Sequence, residues 1–238
     1  MRLDHFLFKN SYTQSRNRAK ELIKSGFVLV NNKKITKPSF SVNEDATIKI
    51  LSEYEFVSRA GKKLRSYLDS HPILIKNRVC LDIGSSTGGF IEVLLEEGAK
   101  RVDGVDVGKD QLHPKIRASS RVRSFEECDI REFKSELSYD LITCDVSFVG
   151  VSYILESIDR LSLDDILILF KPQFEVGKEI KRDKRGVVRD NLAIKEAQSA
   201  FLKSVEKYGW RLNHFEESKI RGKEGNIEIF YHFKKNSN

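Results

Sequence analysis

Apolar and polar positions along the chain fall into short uniform runs and longer periodic ones. The clearest run is "DDILILFKPQFE" (164–175), where five consecutive apolar residues lie between a pair of acids and Lys171. Five apolar positions with no polar alternation predict a strand buried on both faces, as in a parallel sheet. A charge set directly at the end of such a strand is costly unless it is paired, used, or able to reach water along its own stem. Shorter strand-like runs stand at 79–83 (VCLDI), 101–105 (RVDGV), about 121–125 and 140–144 (DLITC). Helix-like patterns lie between and after them, near 88–97, 150–161 and 190–208. This alternation predicts an α/β fold of βαβ units around a mostly parallel sheet, with ligands bound outside the carboxyl ends of the strands. Two β-like stretches, roughly 209–216 and 226–234, read as a closing hairpin. Ahead of the first strand, Val57, Ala60, Leu64, Tyr67 and Leu68 fall at helical spacing within "VSRAGKKLRSYLDS".

The front of the chain is patterned differently. Residues 13–25, "TQSRNRAKELIKS", predict a helix with Ala19, Leu22 and Ile23 on its apolar side, stopped by Gly26. Short β-like pieces follow, "FVLVNNKKITKPSFSV" and "ATIKIL", with an Asn-Asn turn inside the first. The expected organisation is a small α+β domain over 1–52, a linker over 53–57 and an α/β domain over 58–238.

Charge sharpens that division. The net charge is +7, and residues 1–51 hold ten bases against four acids, leaving +1 for the other 187 residues. A basic front end on a nearly neutral body points to a polyanion-binding module, or to a solvated basic surface. Its candidate contacts are Arg2, Arg16, Arg18, Lys20, Lys24, Lys33, Lys34 and Lys37. No apolar run approaches the roughly 20 residues that span a bilayer, and "MRLDHFLFKNSY" lacks the continuous core of a signal peptide. A cytoplasmic protein without membrane association is expected. Cys80, Cys128 and Cys144 form no CxxC pair, and the five histidines show no metal-ligand spacing, so no metal is expected.

The candidate ligand loop is "LDIGSSTGGF", which follows a predicted strand and opens a helix. Its glycines are not spaced as G-x-G-x-x-G, and no Gly-Lys-Ser/Thr follows to make a P-loop. Small residues from Gly84 through Ser85, Ser86, Thr87 and Gly88 to Gly89 and Phe90 still let a ligand approach the backbone. Asp82 within the preceding strand either reaches that ligand or caps the turn. Asp106, ending the next strand, is placed to accept from a ribose diol, and Asp129 follows the third strand. A glycine loop with acids suits an adenosine-containing ligand without a diphosphate. S-adenosylmethionine is the natural candidate, with a nicotinamide cofactor or a purely structural turn as alternatives.

At the front, "RLD" and "SR..A..LI..G.V.VN.K...KPS..V" resemble the RNA-binding module first seen in small-ribosomal-subunit protein S-four. Seven motifs follow one another along the rest of the chain: "SRAGKKL", "LDIGSSTGGF", "VDVGKDQL", "LITCDVSF", "KPQFEVGKE", "GVVRD" and "EGNIE". On these, the chain from Ser58 onward resembles the FtsJ-type ribose methyltransferases. The whole length is similar to the TlyA family of ribosomal RNA 2′-O-methyltransferases, also labelled haemolysins. It implies a Rossmann-like methyltransferase fold with a mostly parallel seven-stranded sheet and S-adenosylmethionine as cofactor. The implied substrate is a ribose, of cytidine, in ribosomal RNA or ribosomal subunits, with the large subunit favoured. The chain departs from the family pattern at Ile91, at Lys109-Asp110 and at Lys223.

The resemblance also implies a Lys-Asp-Lys-Glu catalytic set, which falls on Lys63, Asp145, Lys171 and Glu228. Asp145 and Lys171 follow predicted parallel strands at the ligand-binding edge. Glu228 joins them if the last strand runs antiparallel. For Lys63 the neighbouring Lys62 competes, and only the motif register separates them. The chemistry needs such a set: a 2′-hydroxyl must lose its proton as it attacks, and a lysine base must titrate about three pH units below its ordinary 10.4 to be half neutral at pH 7. Arg59, Arg189 and the basic stretch 178–189 either meet RNA phosphate or stabilise a solvated loop, and Trp210 is assigned to the core. A non-catalytic RNA-binding protein, a membrane-lytic protein and a nicotinamide oxidoreductase are the competing readings.

Overall fold

The computed structural model describes residues 1–13, 15–24, 26–43, 46–50 and 56–235. Gln14 and Ser25 of the expected 13–25 helix, the last residue of "ATIKIL" and most of the expected linker lie outside the described residues. The chain divides into two compact units, Met1–Glu55 and Phe56–Asn238.

In the first unit α1 (Leu3–Lys9) and α2 (Arg16–Lys24) accompany an antiparallel sheet of order β2-β1-β3, formed by β1 (Val28–Val30), β2 (Lys33–Ile35) and β3 (Ile48–Ile50). Asn31 and Asn32 both take positive φ, 50° and 63°, the two left-handed positions of a tight primed hairpin turn. Gly26 ends α2 at φ 77°. Leu3, Phe6, Leu7, Ala19, Ile23, Val28, Val30 and Val42 form its core. Helix α1 is not legible in the apolar pattern, since seven residues are too few to establish a period. In the first turn of α1, Asp4 is fully buried and accepts from Arg2 Nε at 3.0 Å and Arg16 Nε at 3.3 Å. The Arg2 hydrogen bond, joined by that of Arg16, pulls the Asp4 carboxyl down to about 2. Two of the eight expected polyanion contacts therefore also hold their own fold together. Lys24, Lys33, Lys34 and Lys37 are exposed.

The second unit begins with α3 (Arg59–Ser70), followed by β4 (Val79–Ile83), α4 (Gly89–Glu96), β5 (Arg101–Val105), α5 (Pro114–Arg117), β6 (Val122–Phe125) and β7 (Tyr139–Cys144). A 3-10 turn (Val151–Tyr153), α6 (Leu155–Leu161), β8 (Ser162–Phe170), α7 (Pro172–Glu175), α8 (Asn191–Glu206), β9 (Arg211–Glu217) and β10 (Ile229–Lys234) complete it. Among the described residues the strands form a seven-stranded sheet of order β6-β5-β4-β7-β8-β10-β9. It is parallel from β6 to β8, and β10 runs antiparallel to both β8 and β9. The mostly parallel seven-stranded fold is thus borne out. The last two strands are hydrogen-bonded neighbours, with β10 inserted between β8 and β9.

Period-two alternation then layers the unit. Leu81, Ile83, Ile142, Cys144, Ile166, Ile168, Phe170, Ile229, Tyr231 and Phe233 face one side, where α6 and α8 deliver Leu155, Ile158, Phe201 and Val205; Trp210 is buried there as expected. Cys80, Leu141, Leu167, Leu169 and Phe230 face the other, against Leu64, Tyr67 and Leu68 of α3 and Phe90, Ile91, Val93 and Leu94 of α4. Ile91, a departure from the family pattern, is fully buried there and fills the space above Gly104.

Helices α3 and α4 meet through glycine. A Cβ on Gly61 would stand 2.8 Å from the Gly89 carbonyl oxygen, and one on Gly89 would stand 2.7 Å from the Gly61 nitrogen and nearer still to the Ser58 hydroxyl. Backbone cannot swing aside as a side chain can, so this contact fixes where α3 lies over the sheet. Gly89→Ala is expected to lower stability by about 1–3 kcal/mol through overpacking, read as a lower urea midpoint. A control substitution at Gly209, whose φ is 66° and where an added Cβ would meet nothing within 4 Å, is expected to show only its backbone strain.

Candidate active site

The carboxyl edge of the parallel strands collects loops that touch through backbone. Gly84 follows β4 at φ 79°, and a Cβ there would lie 3.0 Å from the Asp145 carbonyl oxygen. Asp145 follows β7, and its amide donates to the Ile83 carbonyl at 2.9 Å. The loops after β4 and β7 are thereby a single packed layer in which only glycine fits at position 84.

Lys171 leaves the next strand, β8, in extended conformation, and Pro172 opens the single turn α7 after it. Its ammonium stands 2.7 Å from Asp145 Oδ1 and donates to Ser147 Oγ at 2.8 Å. The lysine that the pattern left between a snorkelling charge and a functional one is 8% exposed. It does not reach freely into water.

On β10 the register sets Ile229 opposite Phe170, so Glu228 arrives at the same edge as Lys171. Alternation from Phe230 turns Glu228 toward α3, and Lys63 of that helix donates to Glu228 Oε2 at 2.5 Å. These two side chains are 8% and 3% exposed. Lys63 rather than Lys62 makes this buried pair, and the condition placed on Glu228, an antiparallel last strand, is met. All four residues therefore sit at one strand edge as two ion pairs, Lys63–Glu228 with both partners buried and Lys171–Asp145 with a buried lysine and a partly buried carboxylate. Buried pairs contribute little net stability, because desolvation offsets most of the attraction. At the carboxyl ends of parallel strands, where open α/β sheets bind ligands, such pairs are candidates for chemistry.

The glycine loop is organised by acids. Asp106 accepts the Ser86 amide at 2.8 Å on one oxygen and the Gly108 amide at 2.7 Å on the other, while Ser86 Oγ donates to Gln111 Oε1 at 3.1 Å. Gly88 is left-handed at φ 90°, and a Cβ there would press on Leu112. Ser85, Phe90 and Gly89 are buried beneath the loop, and Thr87 accepts the His113 amide through its carbonyl. Asp82 is buried, accepts from Thr143 Oγ1 at 2.7 Å, and leaves Oδ2 without a partner. Burial pushes its carboxyl up to about 7, against the Thr143 hydrogen bond and with added repulsion from Asp145 and Asp106. It does not cap the turn, since its one hydrogen bond goes to Thr143. Asp129 is different: it is partly exposed and engaged by Arg131 at 2.5 Å, which lowers its carboxyl. The departure at Asp110 has a backbone reason, for Asp110 holds φ 52°, a left-handed position that aspartate tolerates better than most residues.

Several contributors escaped the pattern analysis. Phe148, in "LITCDVSF", is 93% exposed at φ 69°, a strained position for a bulky residue, with its ring 5.5 Å from that of Phe174. Glu175 of "KPQFE" accepts the Val151 amide at 2.6 Å and fixes the far end of the same loop. Asn226 of "EGNIE" accepts the Val188 amide of "GVVRD" at 3.0 Å, and a Cβ on Gly222 would lie 2.6 Å from Glu228 Oε1. The motif pairing across distant sequence was the available signal, but its hydrogen bonds were not readable from it. Arg59 donates to the Arg221 carbonyl at 3.0 Å, and Arg189 bonds Asp183 at 3.0 Å, so both stabilise loops. The 182–189 turn is organised around Asp183, which takes the Arg185 and Val187 amides.

Residues 56–235 match the FtsJ-like methyltransferase family and residues 1–48 match the S4 domain. The chain is 45% identical to the 23S rRNA (cytidine-2′-O)-methyltransferase TlyA of Campylobacter jejuni, across 99% of this chain and 100% of that protein. It is 35% identical to the 16S/23S rRNA (cytidine-2′-O)-methyltransferase TlyA of Mycobacterium tuberculosis, across 96% of this chain and 88% of that one. A solved structure from Streptococcus thermophilus superposes with a TM-score of 0.76 at 31% identity, covering 99% of this chain and 88% of that chain. With a buried Lys-Asp-Lys-Glu edge, a glycine loop and matches running end to end, the chain belongs to the FtsJ-like methyltransferases, within the TlyA family, and carries an S4 domain.

Proposed function

We propose that the protein methylates the 2′-hydroxyl of a cytidine ribose in ribosomal RNA, using S-adenosylmethionine. The observation that carries this reading is the pair of lysine–carboxylate contacts, each made by a buried lysine, at the edge where the glycine loop lies. The large-subunit RNA is the favoured target: the relative named for 23S RNA alone is matched over its whole length, while the one named for both subunits extends beyond the match. A ribosomal RNA substrate supports a cytoplasmic location. Among the described residues no helix is long and apolar enough to cross a membrane.

The site fits the cofactor. Three acids, Asp82, Asp106 and Asp129, stand after or within successive strands around a loop whose glycines admit close approach, and Asp82 keeps a buried oxygen unpartnered. That donor set suits a ligand bearing a ribose diol and positive charge and lacking phosphate. When bound, S-adenosylmethionine supplies an electrophilic methyl group on a sulfonium.

The chain's own residues supply position and a base. Asp145 and Ser147 hold the Lys171 amine at the edge, where it orients the 2′-hydroxyl and accepts its proton. Glu228 holds Lys63 in the same layer, so neither amine is free to swing into solvent. The exposed ring of Phe148 offers a stacking face for a base turned out of its helix. The front domain supplies phosphate contacts through Arg18, Lys20, Lys24, Lys33, Lys34 and Lys37, with Arg2 and Arg16 shared between Asp4 and the RNA. Phosphate contacts of this kind set orientation, while the catalytic edge selects the sugar.

Two outcomes test this reading. Given methyl-labelled S-adenosylmethionine and unmodified large ribosomal subunits, the wild type should place label on a ribose. Lys171→Ala should slow that transfer by about 10²–10⁴-fold while cofactor affinity, read by calorimetry, is retained. Transfer by the variant at the wild-type rate would remove Lys171 from the mechanism. Asp82 predicts a pH signature. Its folded carboxyl titrates near 7 and its unfolded one near the ordinary 3.8, so its ionisation destabilises the fold as pH rises between those values. Asp82→Asn should therefore gain stability over wild type across that window, by on the order of 4 kcal/mol at the top, in urea midpoints taken without cofactor. Parallel pH profiles would contradict the buried acid.

A further inference from the structure

One cluster of ligating side chains lies away from the catalytic edge. His71 caps the carboxyl end of α3, and His214 and Glu216 project from β9, the last strand of the sheet. One donor atom from each lies within 4.8 Å of the other two. The position follows from alternation: Glu216 and His214 pair with Phe230 and His232 across the ladder, so they share the face that Phe230 turns toward α3. The imidazoles are stacked with centroids 3.6 Å apart, and Tyr67 lies against both.

Their polar atoms are poorly served. His71 Nδ1, His214 Nε2 and the Tyr67 hydroxyl are buried and have no hydrogen-bond partner. The Glu216 carboxylate stands 3.5 Å from His71 Nδ1, outside good hydrogen-bond range. Three unpaired buried groups at one point are expensive, and native proteins leave few such groups unexplained.

We infer that His71, His214 and Glu216 form a binding site for a divalent transition-metal ion, with zinc the best suited. Two imidazoles and one carboxylate are a borderline donor set, which takes zinc and its first-row neighbours and leaves a fourth position for water. Tetrahedral zinc needs donors about 3.3 Å apart. The His71 and Glu216 side chains are 32% and 24% exposed, which leaves them free to close that distance by rotation. A metal there would tie the end of α3, the helix that carries Lys63, to the edge strand. The spacing of histidines along the chain hides this site, since His71 and the His-x-Glu pair come from elements at opposite ends of the domain.

The test uses full-length, untagged protein stripped with a chelator and titrated with Co²⁺. The wild type should bind one equivalent, show the visible d–d absorption of low-symmetry Co²⁺, release it to Zn²⁺, and melt at a higher temperature with Zn²⁺ present. His71→Gln, His214→Gln and Glu216→Gln should each weaken binding by about 100-fold or more. His214→Phe keeps the ring stack without the ligand; it should melt like metal-free wild type and gain nothing from Zn²⁺. Equal Co²⁺ affinity and spectra in wild type and all four variants would overturn the site, placing any metal on other groups. So would a wild type that binds no Co²⁺. In either case the cluster is only an aromatic stack.

Discussion

The register of β10 on β8 is the constraint on which the rest depends. Ile229 opposite Phe170 brings Glu228 to the edge that Lys171 occupies. A slip of one residue would turn every β10 side chain to the other face, sending Tyr231 and Phe233 out of one core and Glu228 away from α3. Apolar packing on both faces of the strand thus specifies the position of a charge. Helix α3 needs a matching constraint, and Gly61 against Gly89 provides it by setting backbone on backbone.

Both ends of β8 carry charge, with different results. At its amino end Asp164 and Asp165 meet Arg78, Lys234 and His232 at 2.5–3.0 Å. Burial pushes the Asp165 carboxyl up, but hydrogen bonds from His232, Lys234 and Arg78 outweigh it and leave the carboxyl well below its ordinary range. These acids are bridged by Arg78 ahead of β4 and by His232 and Lys234 of β10, and act as a clamp on the sheet. At the carboxyl end each lysine has one carboxylate partner, Asp145 or Glu228. Lys171 adds only neutral acceptors, the Ser147 hydroxyl at 2.8 Å and the Asp145 carbonyl at 3.4 Å. The same residue types thus form a multiply bridged clamp at one edge and one-to-one ion pairs at the other.

Much of the fold was legible because strands buried on both faces leave unbroken apolar runs. The strands at 79–83 and 101–105 appear over those residues, and β8 differs only in beginning earlier, at Ser162, where polar residues hide the pairing. The expected 150–161 helix divides into a 3-10 turn and α6, because Gly150 and Glu175 shape its entry. The short α1, α5 and α7 escaped detection, since four to seven residues cannot show a period. At the edge, Asp145 and Lys171 were readable from strand ends, whereas choosing Lys63 over Lys62 needed the motif register. Ser147, Phe148 and Asn226 were not readable, because exposure, a left-handed φ and loop-to-loop hydrogen bonds are tertiary properties.

The most direct measurement is a double-mutant cycle on the single-turnover methyl-transfer rate, with Lys63→Met, Glu228→Gln and both together. If the β10 register makes Lys63 and Glu228 one functional unit, the double variant should be about as slow as the slower single one. Effects that multiply independently would contradict the joint action of the buried pair, and with it the claim that this register builds the active edge.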